Sequence, residues 1–138
     1  MTSDSEQLQP VNAPADGPRR ITAIVADLSK PVNSQRLKQR RQGGKSLTYL
    51  PWYEAVRYLN HYAAGWTYEI RSVSELRDMY VVTVRITIPS SEGPIWREAT
   101  GIEPFDVMGY GDPVSNAASM ALRRAAAHFG LALSLYDK

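Results

Sequence analysis

The stretch MYVVTVRITIP, at positions 79–89, constrains the fold of this chain more than any other. Every second side chain in it is large and apolar: Tyr80, Val82, Val84, Ile86 and Ile88. The positions between them include Thr83, Arg85 and Thr87. A period of two with one apolar side predicts a β-strand in a sheet that has one covered face.

Two further strand patterns flank this stretch, WTYEIRSV before it and PIWREATGI after it. The intervening breaks, ELRD and SSEG, are short enough to join antiparallel strands as hairpins. Helical patterns enclose the three strands, PWYEAVRYLNHYA on one side and DPVSNAASMALRRAAAHFG on the other. The sequence therefore predicts an α+β fold of order α-β-β-β-α, a three-stranded antiparallel sheet with helices on one face.

Charge and composition divide the chain into three parts. Residues 1–18 contain three acids and no base and few large apolar side chains, which predicts a disordered tail. Residues 19–45 combine a short helical pattern with eight bases against one acid, and residues 46–138 form the folded domain. A strongly basic segment beside a near-neutral domain indicates a polyanionic partner such as nucleic acid, or else a solvated basic linker.

Several classes of protein are excluded by what the sequence lacks. The chain has no cysteine, which removes disulfides, zinc-cysteine sites and thiol nucleophiles. It has no apolar run of membrane-spanning length and no signal-peptide pattern, so we expect a soluble cytoplasmic protein without membrane contact. There is no Walker motif for ATP, and no cofactor is expected.

The last helical pattern carries the adjacent pair Arg123 and Arg124 on its polar side and flank. Its many alanines keep the helix slim, so a ligand can approach it closely. Guanidinium groups bind phosphate oxygens in a forked geometry, and several of them along a groove follow a nucleic-acid backbone without reading its sequence. Arg85 and Arg97 on the strands extend this basic surface. The alternative interpretation of the pair is a solvated polar face.

Aromatic residues are dense in the first half of the chain and are able to stack on bases. Most of them lie at core spacing. We therefore expect Trp52, Trp66 and Tyr80 to pack in the core instead.

From about Arg36 to Lys138 the sequence resembles the Rad-fifty-two family of single-strand annealing proteins in DNA recombination and repair. The order and spacing of RRQGGKSLTYL, the PWYEAVRYLNHYA helix followed by GW, three strands, GYG and ALRRAAAHFGLAL carry the resemblance. It implies a β-β-β-α core that assembles into a homo-oligomeric ring, with single-stranded DNA in a basic outer groove. We expect a prokaryotic or phage-like member, in the nucleoid or in a phage-infected cell. The resemblance does not assign a single-strand-binding protein or a recombinase as a partner of this chain.

In that family two consecutive bases of the last helix hold the DNA backbone, and they correspond to Arg123 and Arg124. A base that relatives carry one turn later corresponds to Ala127, and one early in the PWYEAV helix corresponds to Glu54. These departures predict that contacts shift toward the strand arginines and the Gly-Gly-Lys turn that ends at Lys45. The full set of predicted DNA contacts is Arg40, Arg41, Lys45, Arg85, Arg97, Arg123 and Arg124.

The predicted function is ATP-independent binding of single-stranded DNA and annealing of complementary strands, without covalent chemistry. One alternative is a binding module that protects DNA ends or binds duplex or RNA, and another is a structural oligomer whose basic segment binds a protein. A third is a magnesium-dependent nuclease, which would need clustered carboxylates. The acids available for it are Glu98, Glu103, Asp106 and Asp112, of which Asp112 also suits a helix cap.

Overall fold

Three α-helices and two antiparallel sheets make up the part of the chain that the computed structural model describes, residues 8–11, 17–105 and 112–137. Two short 3-10 helices, Ser34–Arg36 and Leu133–Tyr136, accompany them. In chain order the main elements are α1 (Ile21–Leu28), β1 (Lys38–Gln42), β2 (Lys45–Tyr49), α2 (Trp52–Tyr62), β3 (Thr67–Leu76), β4 (Met79–Ser90), β5 (Gly93–Pro104) and α3 (Pro113–His128). None of the described helices is long and apolar enough to cross a membrane.

The three-stranded sheet has the order β3-β4-β5, with both neighbouring pairs antiparallel. Its central strand carries the alternating pattern, and Val82, Val84, Ile86 and Ile88 are fully buried on the helix side. The predicted α+β class, the three strands and their antiparallel arrangement are thus confirmed. A bulge between Ile70 and Ser72 interrupts the pairing of β3 with β4.

Helix α3 packs on β4 and β5 and closes the core. Its N-terminus is capped by Asp112, whose side chain accepts a hydrogen bond from the Val114 amide at 2.9 Å. After the helix the chain turns at Gly130, whose φ of +105° suits a residue without a side chain. Helix α2 contacts α3, and α1 contacts α2, so the helices cover one side of the sheet.

The basic segment folds into a two-stranded hairpin, of which the sequence patterns predict only a short strand at SLTYL that overlaps β2. β1 pairs with β2 from Lys38 opposite Tyr49 to Gln42 opposite Lys45, and the turn uses Gly43 and Gly44, both with positive φ. All of β1 is polar or charged and β2 is largely exposed, so no covered face marks the strands in the sequence. The predicted order therefore lacked this hairpin, which lies across the expected boundary between residues 45 and 46.

The expected packing of the large aromatics holds in part. Trp66 is half-buried against the core, with its ring stacked on Tyr68, whereas Tyr80 lies against the partly exposed Phe105 ring and not among the described core residues. Trp52 contradicts the expectation, because it is 50% exposed at the first residue of α2 and meets only the edge of the Tyr53 ring among the aromatic contacts described. The first turn of α2 turns this side chain away from the core that Ala55 and Leu59 enter.

Candidate nucleic-acid interface

A groove of about 540 Å³ lies between the β1-β2 hairpin and α3. We call it the arginine groove, because three arginines line it and no acidic side chain does so among the described residues. Its principal lining side chains are Arg40, Leu47 and Tyr49 of the hairpin, Met120, Arg123 and Arg124 of α3, and Leu135 and Tyr136 of the C-terminal segment. The structure thus brings together three of the seven predicted DNA contacts.

Arg123 lies on the α3 wall of the arginine groove. Its guanidinium lies 5.3 Å from the centroid of the Tyr49 ring, and its Nε donates a hydrogen bond to the Ser119 carbonyl at 3.4 Å. The sequence places Arg123 on the side of α3 away from the core, and there the side chain is half-buried, because residues of the hairpin lie over that side of the helix.

Burial lowers the pKa of the Arg123 guanidinium, and the neighbouring charges of Arg40 and Arg124 lower it further, while Tyr136 and Tyr49 act in the opposite direction. The group stays charged at neutral pH, since arginine does not deprotonate in proteins. It makes no ion pair with a carboxylate of the described residues. A partly desolvated cation among like charges is a site that an anion stabilises.

Arg124 is exposed on the rim of the arginine groove. Its guanidinium donates to the Thr100 carbonyl of β5 at 3.1 Å, which fixes the side chain across the edge of the sheet. Beyond this bond lies a second hollow of about 460 Å³, which we call the β5 hollow. It is lined by Ala99, Thr100, Arg124, Ala127, His128, Leu133 and Tyr136, so Arg124 and Tyr136 belong to both spaces.

The hairpin places its bases on two different faces. Directly paired residues share a face of the hairpin, so Arg40 and Leu47 both face the groove. Lys45 lies two residues before Leu47 on β2 and is therefore on the same face, near the turn. Arg41 pairs with Ser46 and belongs to the opposite face. All three bases are exposed. Lys45 therefore extends the basic face toward the hairpin tip, and Arg41 does not.

The structure does not bring Arg85 and Arg97 into the arginine groove. Arg85 lies on the sheet face away from the helices, where it pairs with Glu98 at 2.7 Å and lies 3.7 Å over the Trp96 ring. Arg97 lies on the helix side, donates to the His128 carbonyl and covers the Phe129 ring at 4.6 Å. Both arginines thus have partners that stabilise the fold, and their contact with DNA stays a prediction.

The acids named for a nuclease lie apart in roles of their own. Glu98 pairs with Arg85, and Asp112 caps α3. Glu103 lies on β5, and Asp106 falls outside the described residues. Within the described part of the chain, no group of three or more metal-ligating side chains is close enough to hold a metal ion.

Two aromatic residues of the site were not among the predicted DNA contacts. Tyr49 ends β2 and supports Arg123, and Tyr136 ends the second 3-10 helix beside Arg124. The alternation in SLTYL gave a weak signal for Tyr49. Tyr136 follows the turn after α3, where no periodic pattern indicates its position.

The comparisons with known proteins place this chain among DNA-repair proteins. Residues 20–138 match the family model described as "Rad52/22 family double-strand break repair protein", and the chain belongs to that family. It is 40% identical over 122 residues to "DNA repair RAD52-like protein 1, mitochondrial" of Arabidopsis thaliana, an alignment that covers 87% of this chain and 69% of the relative. It is 38% identical over 125 residues to "DNA repair RAD52-like protein 2, chloroplastic" of the same plant, covering 87% and 62%.

The family resemblance in the sequence is therefore confirmed, and with it a role in DNA repair and recombination. The expectation of a prokaryotic or phage-like member is not borne out, because both of these relatives are plant proteins whose names place them in organelles.

Proposed function

We propose that this domain binds single-stranded DNA in the arginine groove and anneals complementary strands without ATP. The observation that carries the proposal is the convergence of Arg40, Arg123 and Arg124 on one groove with no acid among its described lining residues. Membership in a double-strand break repair family supports the choice of DNA as the polyanion.

The mechanism follows from charge and geometry. Arg123 and Arg40 on the two walls hold phosphate oxygens, while Arg124 on the rim holds the backbone where it leaves the groove. A strand bound by its phosphates leaves its base edges toward solvent, where a second strand is able to pair with them. Neutralised phosphates also repel the incoming strand less, so annealing needs no covalent step.

The proposal includes assembly of several copies through strand β3. All ten residues of β3 are exposed, and β3 pairs only with β4 among the described strands. Tyr68, Ile70 and Val73 are paired with buried residues of β4 and so face the helix side, yet they stay about half exposed. An open edge with an uncovered apolar side suits contact with a second copy, and a closed ring of copies would repeat the groove at regular intervals.

The direct test is the double substitution Arg123→Ala with Arg124→Ala. Anisotropy of a labelled oligo(dT) should show much weaker binding, and the slope of log affinity against log salt should fall in magnitude by about 1.4 for two lost single-strand phosphate contacts. Annealing of complementary oligonucleotides without ATP or metal should fall with it. The matched control is Arg20→Ala with Arg77→Ala, which removes the same charge from two exposed positions outside the groove.

The outcomes separate the alternatives. Unchanged affinity in a folded double variant would remove the arginine groove from the proposal. Tight binding by the unmodified chain without any annealing would favour an end-protecting module, and magnesium-dependent cleavage would favour a nuclease. Light scattering that shows only monomers over a wide concentration range would refute the ring.

A further inference from the structure

The β5 hollow adjoins the arginine groove but has a different chemistry. The two spaces share Arg124 and Tyr136, so a strand that leaves the groove over Arg124 enters the hollow directly. Arg124 is the only arginine or lysine among the described residues that line the hollow, whereas Ala99, Ala127, Leu133 and Tyr136 offer apolar surface.

Small side chains of β5 and α3 line the β5 hollow, and the ring of Tyr136 lies at its side. Ala127 is a buried residue of α3 and leaves space that a longer side chain would fill. Ala132, with φ of +54°, precedes the 3-10 helix Leu133–Tyr136, whose Tyr136 lies beside Arg124 of α3 in both spaces. Leu133 is 54% exposed and Tyr136 is 50% exposed, which leaves a half-open apolar platform next to a cation.

We infer that the β5 hollow takes one nucleobase of the bound strand, stacked on the Tyr136 ring. This inference rests on the proposed function, because the phosphate of the same nucleotide would lie at Arg124. Single-stranded nucleic acid presents an anionic phosphate and a flat apolar ring in each repeat, which matches an arginine beside an aromatic platform. Since Tyr136 and Leu133 are half exposed, the stacked base keeps its pairing edge toward solvent.

The test compares Tyr136→Leu with Tyr136→Phe. Leucine keeps the apolar cover and loses the ring, whereas phenylalanine keeps the ring and loses the hydroxyl. Tyr136→Leu should weaken binding of oligo(dT) about 5- to 150-fold, the usual effect of losing one stack, and Tyr136→Phe should change it little. Neither substitution changes a charge, so the salt slope should stay that of the unmodified chain, unlike that of Arg124→Ala.

An independent measurement uses the DNA instead of the protein. The unmodified chain should bind oligo(dT) more tightly than an abasic strand of the same length, and Tyr136→Leu should reduce this preference. A 2-aminopurine base in the oligonucleotide should be quenched on binding to the unmodified chain and to Tyr136→Phe, and less so on binding to Tyr136→Leu.

Two failures are distinguishable. If the unmodified chain does not bind oligo(dT) at low salt, the proposed function itself fails. If it binds with a normal salt slope but Tyr136→Leu keeps full affinity and full 2-aminopurine quenching, the base site is refuted and the phosphate groove stands. If Tyr136→Leu does not fold, the unmodified chain alone tests the base site. An equal affinity of that chain for oligo(dT) and for the abasic strand would refute the base site.

Discussion

The position of α3 depends on a glycine in β5, and Gly101→Ala should therefore destabilise the whole domain. A Cβ added to Gly101 would lie 2.0 Å from the Ala117 carbonyl oxygen and 2.8 Å from the Ala121 amide nitrogen. Ordinary van der Waals contact begins at 3.4 Å, so the helix and strand would have to separate by 3.4 − 2.0 = 1.4 Å at this point. Both atoms in the way belong to backbone, which has no rotamer to relieve the clash.

Overpacking of a core by one carbon costs about 1–3 kcal/mol, and a clash with helix backbone belongs at the upper end. We expect Gly101→Ala to lower the free energy of unfolding by about 3 kcal/mol, which corresponds to a fall in Tm of roughly 10 °C for a domain of this size. The φ of Gly101 lies outside the left-handed region, so the effect is steric. Binding of oligo(dT) should weaken as well, because α3 carries Arg123 and its neighbour.

The assay is urea unfolding followed by circular dichroism, with Thr100→Ala as the control. Thr100 is the preceding residue of β5, and its side chain faces away from α3, so the control should stay within about 0.5 kcal/mol of the unmodified chain. If the free energy of unfolding of Gly101→Ala lies within 1 kcal/mol of that of the unmodified chain at the same denaturant dependence, β5 and α3 are not in close backbone contact at Gly101.

Three further substitutions test other parts of the structure. Glu54→Ala should lower the free energy of unfolding by about 3 kcal/mol in urea, because it leaves the largely buried guanidinium of Arg36 without this carboxylate, and adding Arg36→Met should recover part of the loss. Burial raises the pKa of the Asp27 carboxyl, but hydrogen bonds from Lys30 and Arg19 outweigh it and lower the pKa below its ordinary value of 3.8. Asp27 therefore stabilises the fold above about pH 4 and loses this effect as pH falls through its lower folded value, so Asp27→Asn should flatten the acid limb of a Tm-against-pH curve. Arg97→Ala should lower Tm through loss of its bond to the His128 carbonyl, and a fall of about 0.7 in the salt slope of DNA binding would show that Arg97 also contacts a phosphate.

The three-stranded sheet was predictable because its central strand has one buried face. A strand of this kind alternates apolar and polar residues in the sequence. Tyr80 to Ile88 show that pattern, and the short breaks on either side fix the antiparallel connections. The β1-β2 hairpin was not predictable in the same way. Its strands are mostly exposed, so the local signals were weak: the alternation in SLTYL and the Gly43-Gly44 pair, which is compatible with many turns.

The candidate site was also predictable only in part. Arg123 and Arg124 were identifiable as adjacent cations on a helix otherwise rich in alanine, and Arg40 only as one member of a basic run. What the sequence did not contain was the partner of each arginine. Arg97 bonds a carbonyl 31 residues away, and Arg124 bonds one 24 residues away, so tertiary packing decides which arginine faces the groove.

The arginine groove should weaken the fold that carries it, and Arg123→Met tests this. Methionine keeps an unbranched apolar stem against Tyr49 and removes a partly desolvated cation that faces Arg40 and Arg124. We expect the free energy of unfolding to rise by up to about 1 kcal/mol at low salt. The gain should shrink at high salt, because salt screens the repulsion between Arg123 and its two neighbours in the unmodified chain. Urea unfolding at two salt concentrations measures this change in free energy, and Arg77→Met at an exposed position is the control. A lower stability of Arg123→Met would contradict the prediction. A gain in stability together with lost DNA binding would mean that Arg123 is held at a cost to folding that a bound phosphate relieves.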